Sequence, residues 1–161
     1  MKKEQKGFSL IELLIVVAII GIIAAIAVPN LLKSRQAANE ASAISGTRTV
    51  GTAQATYQNT AGLNKDFAPN MAALSGGGFV DATLGAGQKS GYGFATVGTA
   101  STTGVPSYFD SSVSPLSVGN FGTGNRSFYS NETFVIYQAT GATAPTAAFP
   151  VRVPAAGSVI Q

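Results

Sequence analysis

The chain has 161 residues, and with its unusual first sixty or so set aside about a hundred remain, which fits one small domain with a modest core. It contains no Cys, no His and no Trp, so thiolate nucleophiles, imidazole bases, Cys or His metal sites and disulfide staples are excluded. Only 11% of residues are charged, and the net charge of +3 falls to +1 without the first seven residues, three Lys against one Glu, too weak for an electrostatic nucleic-acid platform.

The first element is the run KGFSLIELLIVVAIIGIIAAIAVPN, from Lys6 to Asn30. Phe8 to Val28 is 21 residues, fourteen of them Leu, Ile, Val or Phe. At ~1.5 Å rise per residue a helix of that length covers roughly the ~30 Å hydrocarbon core of a bilayer. Each large apolar residue favours insertion by about 0.3 to 0.6 kcal/mol, and the one carboxylate, Glu12, subtracts at most ~3 kcal/mol, so it does not forbid insertion. Lys2, Lys3 and Lys6 precede the run while only Lys33 and Arg35 closely follow it, a bias toward a cytoplasmic N-terminus. A basic start, an apolar stretch and the small-x-small triplet Ala25-Ile26-Ala27 also describe a secretory signal peptide. The run exceeds the usual ~7 to 15 apolar residues of such a peptide and carries a carboxylate, and both argue for a helix that is kept. Proline deletes one helical hydrogen bond and disfavours helical geometry just before it, so Gly21 to Pro29 is the weakest stretch of this rod, with a mild kink expected at Pro29.

Beyond Pro29 the pattern turns amphipathic. Asn39, Ala43, Gly46, Val50, Ala53 and Tyr57 recur at spacings of four and three, which predicts one helix from about Ser9 to Thr60 whose second half packs under a sheet. Gly46 and Gly51 each cost roughly 1 kcal/mol against Ala in a helix interior and would permit close packing of other elements. Ala61-Gly62 is expected to end the helix by glycine termination. The stretch to Ser90 reads as loop, with a short helix over Pro69 to Leu74 stopped by Gly76-Gly77-Gly78. Strands are predicted at Tyr92–Val97, Ser107–Asp110, Arg126–Ser130 and Thr133–Tyr137, the last two as a hairpin, giving an antiparallel sheet of three or four strands. The glycine-rich stretches Gly91–Phe94 and Gly122–Phe128 lack a following Lys-Ser/Thr and read as turns, not phosphate loops. From Gln138 onward Arg152 is the sole charge; an irregular, partly extended tail is expected, with Val151–Val153 as a candidate edge strand. Asn131-Glu132-Thr133 is a formal glycosylation sequon. Asp66, Asp81 and Asp110 are the acids that would have to pair in carboxylate catalysis; so scattered, they read as solvated loop residues.

The string Gly7-Phe8-Ser9-Leu10-Ile11-Glu12, followed by an uninterrupted apolar helix, resembles the processing site and first helix of type IV pilins and their pseudopilin relatives. The resemblance is close over about the first third of the chain. It implies cleavage after Gly7 by a prepilin peptidase and methylation of the new amine of Phe8. Residues four apart share a helix face, so Glu12 would stand near that cation. Either charge left alone in lipid costs several kcal/mol, which makes Glu12 a registry device that seeks the terminal amine of its own or a neighbouring chain. The implied fold class is α+β: a long N-terminal helix, hydrophobic in its first half, packed on a small antiparallel sheet. The implied division is 1–7 leader, 8–28 transmembrane and filament-core helix, 29–60 amphipathic continuation, 61–161 globular domain.

That resemblance further implies no catalytic residues, cofactor or metal. Its partners would be copies of the same chain, the prepilin peptidase, a membrane platform protein, an assembly ATPase and the membrane before assembly. The expected location is the bacterial inner membrane as a single-pass precursor, then an extracellular pilus. The alternative is a pseudopilin of a type II secretion system, whose family typically has an acidic, calcium-binding C-terminal loop. Here Asp110 is the sole acid between Asp81 and Glu132, so calcium ligands are scarce.

Overall fold

The computed structural model describes residues 7–160, so Lys2, Lys3 and Lys6 of the expected leader lie outside the described residues. The chain divides into two compact units, Met1–Ser34 and Arg35–Gln161. One helix, α1 (Leu10–Asn59), supplies most of the first unit and the backbone of the second.

In the first unit every residue from Gly7 to Leu31 is exposed, and the helix runs without interruption through Gly21 and Pro29. Its apolar side chains project on all sides of the helix, so no single face could bury them against a body of its own.

In the second unit α1 buries Gln36, Glu40, Ala43, Gly46, Thr47, Val50, Gly51, Ala53 and Gln54; Ala43, Gly46, Val50 and Ala53 belong to the predicted stripe, Asn39 and Tyr57 at its ends are half-buried, and the other five widen it. Gly46 is there because the Phe94 ring occupies its side-chain position: a Cβ would stand 2.6 Å from Phe94 Cε1. The helix ends differently from the expectation. Left-handed backbone falls on Leu63 and Asn64, at φ 55° and 59°, and not on Gly62. Gly62 is needed instead for close approach, since a Cβ on it would collide with the Asp66 carbonyl.

Two short helices follow. α2 (Met71–Gly76) begins two residues later than the reading of Pro69 as a first-turn residue, because Asn70 is the better cap: its Oδ1 accepts from Ala73 N at 2.9 Å. α3 (Ala82–Gly85), not foreseen in a stretch read as loop, is capped by Asp81, which accepts from Leu84 N at 2.7 Å.

The sheet has six antiparallel strands in chain order: β1 (Gln88–Lys89), β2 (Tyr92–Thr99), β3 (Tyr108–Pro115), β4 (Arg126–Asn131), β5 (Ile136–Thr140) and β6 (Ser158–Val159). The count exceeds the expected three or four because a two-residue strand flanks each edge. β3 is twice the expected length, with Phe109, Ser111 and Val113 buried in strict alternation. β5 starts three residues late: Glu132 to Val135 form the hairpin turn, with Phe134 at φ 58°. Val151–Val153 is no strand, and Ser158–Val159 pairs with β5 instead.

β4 is buried along almost its whole length, on both faces. Phe128 joins Tyr92, Phe94, Val113 and Ile136 in the core against Ala43, Val50 and Ala53 of α1. Ser127, Tyr129 and Asn131 point to the opposite face, which the C-terminal tail covers: Ser127 Oγ donates to Thr143 O at 2.6 Å and Asn131 Nδ2 to Arg152 O at 2.7 Å.

Candidate functional site: the processing segment and the clamped tail

Gly7, Phe8 and Ser9 precede the helix as exposed, non-helical chain, with Phe8 94% exposed. Glu12 sits in the first turn and its Oε2 accepts from Ser9 N at 2.9 Å. That is one half of a capping box, and it satisfies a backbone donor the helix leaves free. The Ser9-Leu10-Ile11-Glu12 spacing carries this signal, which the reading of Glu12 as a registry charge passed over. Glu12 therefore has a hydrogen-bond partner within its own chain. Gly21 has open space around it and Pro29 lies inside α1.

In the second unit polar side chains of α1 tie down the β3–β4 loop. Gln36 Nε2 donates to Gly119 O at 2.7 Å and Gly122 O at 3.1 Å, and Asn39 Nδ2 to Thr123 O at 2.9 Å. Glu40 accepts from Asn125 N at 3.0 Å and pairs with Arg126 Nη2 at 2.7 Å. Burial, with the Glu40 charge nearby, pushes the Tyr92 phenol up to about 12.

The tail is held by Arg152, 7% exposed and at φ 52°. Its Nε and Nη2 grip Glu132 at 2.7 and 2.8 Å, and Nη2 also reaches Asp110 Oδ1 at 2.9 Å and Phe109 O at 2.8 Å. The guanidinium lies 4.5 Å over the Tyr108 ring, and Tyr129 OH donates to Asp110. Left-handed backbone at a non-glycine costs about 1 to 2 kcal/mol, which this forked set of charge-assisted bonds offsets. Burial pushes the Glu132 carboxyl up, but the Arg152 hydrogen bond and charge together with backbone hydrogen bonds outweigh it and the net shift is down. The Glu132 hydrogen bond and the Asp110 charge in turn hold the Arg152 proton above its ordinary value, against burial. Burial and the Asp110 contact raise the Tyr129 phenol.

These contacts show how the irregular tail is held and correct the reading of Asp110. The tail is clamped through Arg152. Asp110 is a strand residue in an ion cluster, not a solvated loop acid. Asn131 is fully buried with its amide engaged by Arg152 O and Thr133, so the folded sequon is closed to a sugar. Asp66 accepts from Ser101 N at 2.8 Å, a bond that lowers its pKa, and Asp81 caps α3 and pairs with Lys89 at 3.4 Å. Among the described residues no group of three or more His, Cys, Asp or Glu is placed to hold a metal ion.

The fully exposed apolar half of α1 behind Gly7-Phe8, and the amphipathic half that packs on a small antiparallel sheet, resemble the prepilin-type, pilin-like class. The comparisons agree: residues 2–28 match the family described as "Prokaryotic N-terminal methylation motif". The chain is 43% identical over 65 residues, 40% of its length and 30% of the relative's, to the type IV major pilin protein PilA of Myxococcus xanthus. It is 60% identical over 38 residues, 24% of its length and 29% of the relative's, to the type IV wide pilus major component PilA4 of Thermus thermophilus. It is also 38% identical over 45 residues, 28% of its length and 29% of the relative's, to the type II secretion system core protein G of Dickeya chrysanthemi. The chain thus spans about 30% of the length of these curated relatives. No solved structure matches it.

Proposed function

We propose that this chain is a structural subunit of a type IV pilus, cut after Gly7 by a prepilin peptidase, N-methylated on Phe8 and polymerised through its apolar helix. The observation that carries this reading is the helix segment from Leu10 to Leu31, apolar on all sides and wholly exposed, starting directly behind an exposed Gly7-Phe8. Such a segment is covered by lipid in the precursor and by sister helices in a fibre. Residues 1–7 are then the leader, 8–28 the membrane and filament-core helix, 29–60 its amphipathic continuation and 61–161 the globular domain. The peptidase, a platform protein and an assembly ATPase are the partners of that pathway, and the subunit itself performs no catalysis. Extension of the helix between Gly21 and Pro29 on assembly belongs to the same reading.

The Arg152 cluster favours the pilus over a secretion pseudopilin: oxygens of Asp110 and Glu132 are already engaged by the Arg152 guanidinium, where a calcium loop needs free oxygen ligands.

Two substitutions test the role of Glu12, since the capping box and the registry pair require different atoms. Glu12→Gln keeps an N3 amide oxygen for Ser9 N but has no charge; Glu12→Val loses both. The expected result is a mature chain that begins at N-methylated Phe8 by mass spectrometry, with both variants inserted in the membrane and both failing to give fibres by electron microscopy. Fibres from Glu12→Gln at the unsubstituted level would reduce Glu12 to a helix cap.

A further inference from the structure

Two short segments of the second unit display large apolar side chains while their backbones are fixed by buried polar groups. The β3–β4 loop exposes Leu116, Val118 and Phe121, the last by 83%, and is tied to α1 by Gln36, Asn39 and Glu40. The tail arch exposes Val151 by 72% and Val153 by 54% on either side of the buried Arg152. Leu63 and Val97, also exposed, stand singly, as isolated surface apolar residues commonly do.

Three properties set the two segments apart. They are preformed, so covering them orders little additional chain. Leu116–Asn125 contains no charged residue, and Ala147–Ala155 none besides the inward-turned Arg152, so neither patch repels the other. They also lie at opposite ends of one strand pair. The loop leaves β3 at Pro115, whereas the arch is clamped to Asp110 and to Glu132, next to the register partners Asp110 and Asn131. Five strand residues separate those ends, about 17 Å. A contact that joins one end of a subunit to the opposite end of the next does not close on itself; it propagates.

We infer that the Phe121 loop of one subunit seats on the Val151–Val153 arch of the next copy of this chain, forming the head-to-tail contact between globular units in the fibre. This rests on the filament reading and adds to it the surface by which the globular units meet. The occupant is a second copy because the two uncharged patches are offered once per chain, at ends that only a repeated, open arrangement brings together.

The absence of native cysteine makes the test clean. In the full chain, Phe121→Cys is combined with Val151→Cys or with Val153→Cys, and sheared fibres are oxidised with copper phenanthroline. The expected product is a ladder of dimers, trimers and larger species from at least one double variant, collapsing to monomer with a thiol reductant, while each single variant stays monomeric. Fibres that yield only monomer from both double variants, or dimers from a single variant, overturn the inference and leave the filament reading standing. Absence of fibres from the unsubstituted chain would instead sink the filament reading and this contact with it. If the cysteine variants form no fibres, Phe121→Lys and Val153→Asp decide: each alone should abolish fibres and the pair should restore them, and failure of the pair to restore them overturns the contact.

Discussion

α1 is one helix in two environments, and its two halves differ in every property a helix can vary. From Leu10 to Leu31 it exposes Leu, Ile and Val on all sides and offers glycine room it does not use. From Gln36 to Gln54 it buries nine residues, four of them polar or charged, and its glycines are pressed against aromatic rings. The first half is written for a surround that is apolar everywhere, as lipid or sister helices are. The second is written for one particular neighbour, and its polar residues each have a named partner: Gln54, for example, accepts from Ala68 N at 2.8 Å and donates to Thr96 Oγ1 at 3.0 Å. Uniform apolarity permits exchange of partners; directional hydrogen bonds do not. Under the proposed function, a subunit that moves from membrane to fibre keeps the first kind of surface where partners change and the second where they stay.

The largest effect that would sharpen this contrast is expected at Arg152. Breaking a buried ion pair from one side costs about 3 to 5 kcal/mol. Glu132 and Asp110 keep side-chain exposures of 24% and 35%, so water partly compensates and the low end, about 3 kcal/mol, is expected for Arg152→Met. Denaturant unfolding of the full chain in detergent, followed through the tyrosines, reads it. Arg152→Lys should recover less than half, because an ammonium cannot span Glu132 and Asp110 with a fork. A loss under about 1 kcal/mol for Met would mean that the tail is held by packing alone and that the second unit is less partner-specific than claimed.

A smaller effect should come from acid. The folded pKa of Glu132 is below its ordinary value, so its stabilising contribution is complete above about pH 4.5, the ordinary glutamate value, and fades as pH falls through the lower folded value. Amide exchange across residues 141–155 is expected to accelerate in that window. Residues 10–31, which hold no comparable pair, should show no such acceleration.

The contrast between the halves also decides what could be read from the chain. Apolar runs and three-four spacings are local, so the helix was legible to within a residue at each end. Strand positions at β2 and β4 followed from β-branched and aromatic residues beside turn glycines. β5 did not, because Phe134 is an apolar residue spent in a turn, 52% exposed, and apolar character is the signal a strand reading uses. The Arg152 clamp was out of reach for a different reason: Asp110 and Glu132 are 42 and 20 residues away in sequence, and nothing local couples them. The polar residues of α1 were equally silent, since Gln36 and Asn39 bond carbonyls of a loop more than eighty residues away.

The finest test compares two glycines of the one helix. At Gly21 nothing lies within 4 Å of where a Cβ would be, so Gly21→Ala should simply gain helix propensity, about 1 kcal/mol, and slow amide exchange over residues 21–29 in detergent. At Gly46 the same methyl would stand 2.6 Å from Phe94 Cε1 and 2.7 Å from Cζ. The ring is buried in the core and cannot swing away freely, so overpacking of about 1 to 3 kcal/mol opposes the propensity gain, and Gly46→Ala should destabilise the second unit by a net ~1 kcal/mol. Identical chemistry with opposite sign would show that the first half is limited by its own backbone and the second by its neighbour. If both substitutions stabilise, the Phe94 contact is softer than its geometry requires. If both destabilise, Gly21 has a close neighbour that the isolated chain lacks, as a lone helix packed tightly among its copies would give it. Repeating the Gly21→Ala comparison in fibres separates these cases: under the proposed extension of the helix between Gly21 and Pro29 on assembly, alanine, which favours the helix, should lower fibre yield even though it stabilises the free subunit.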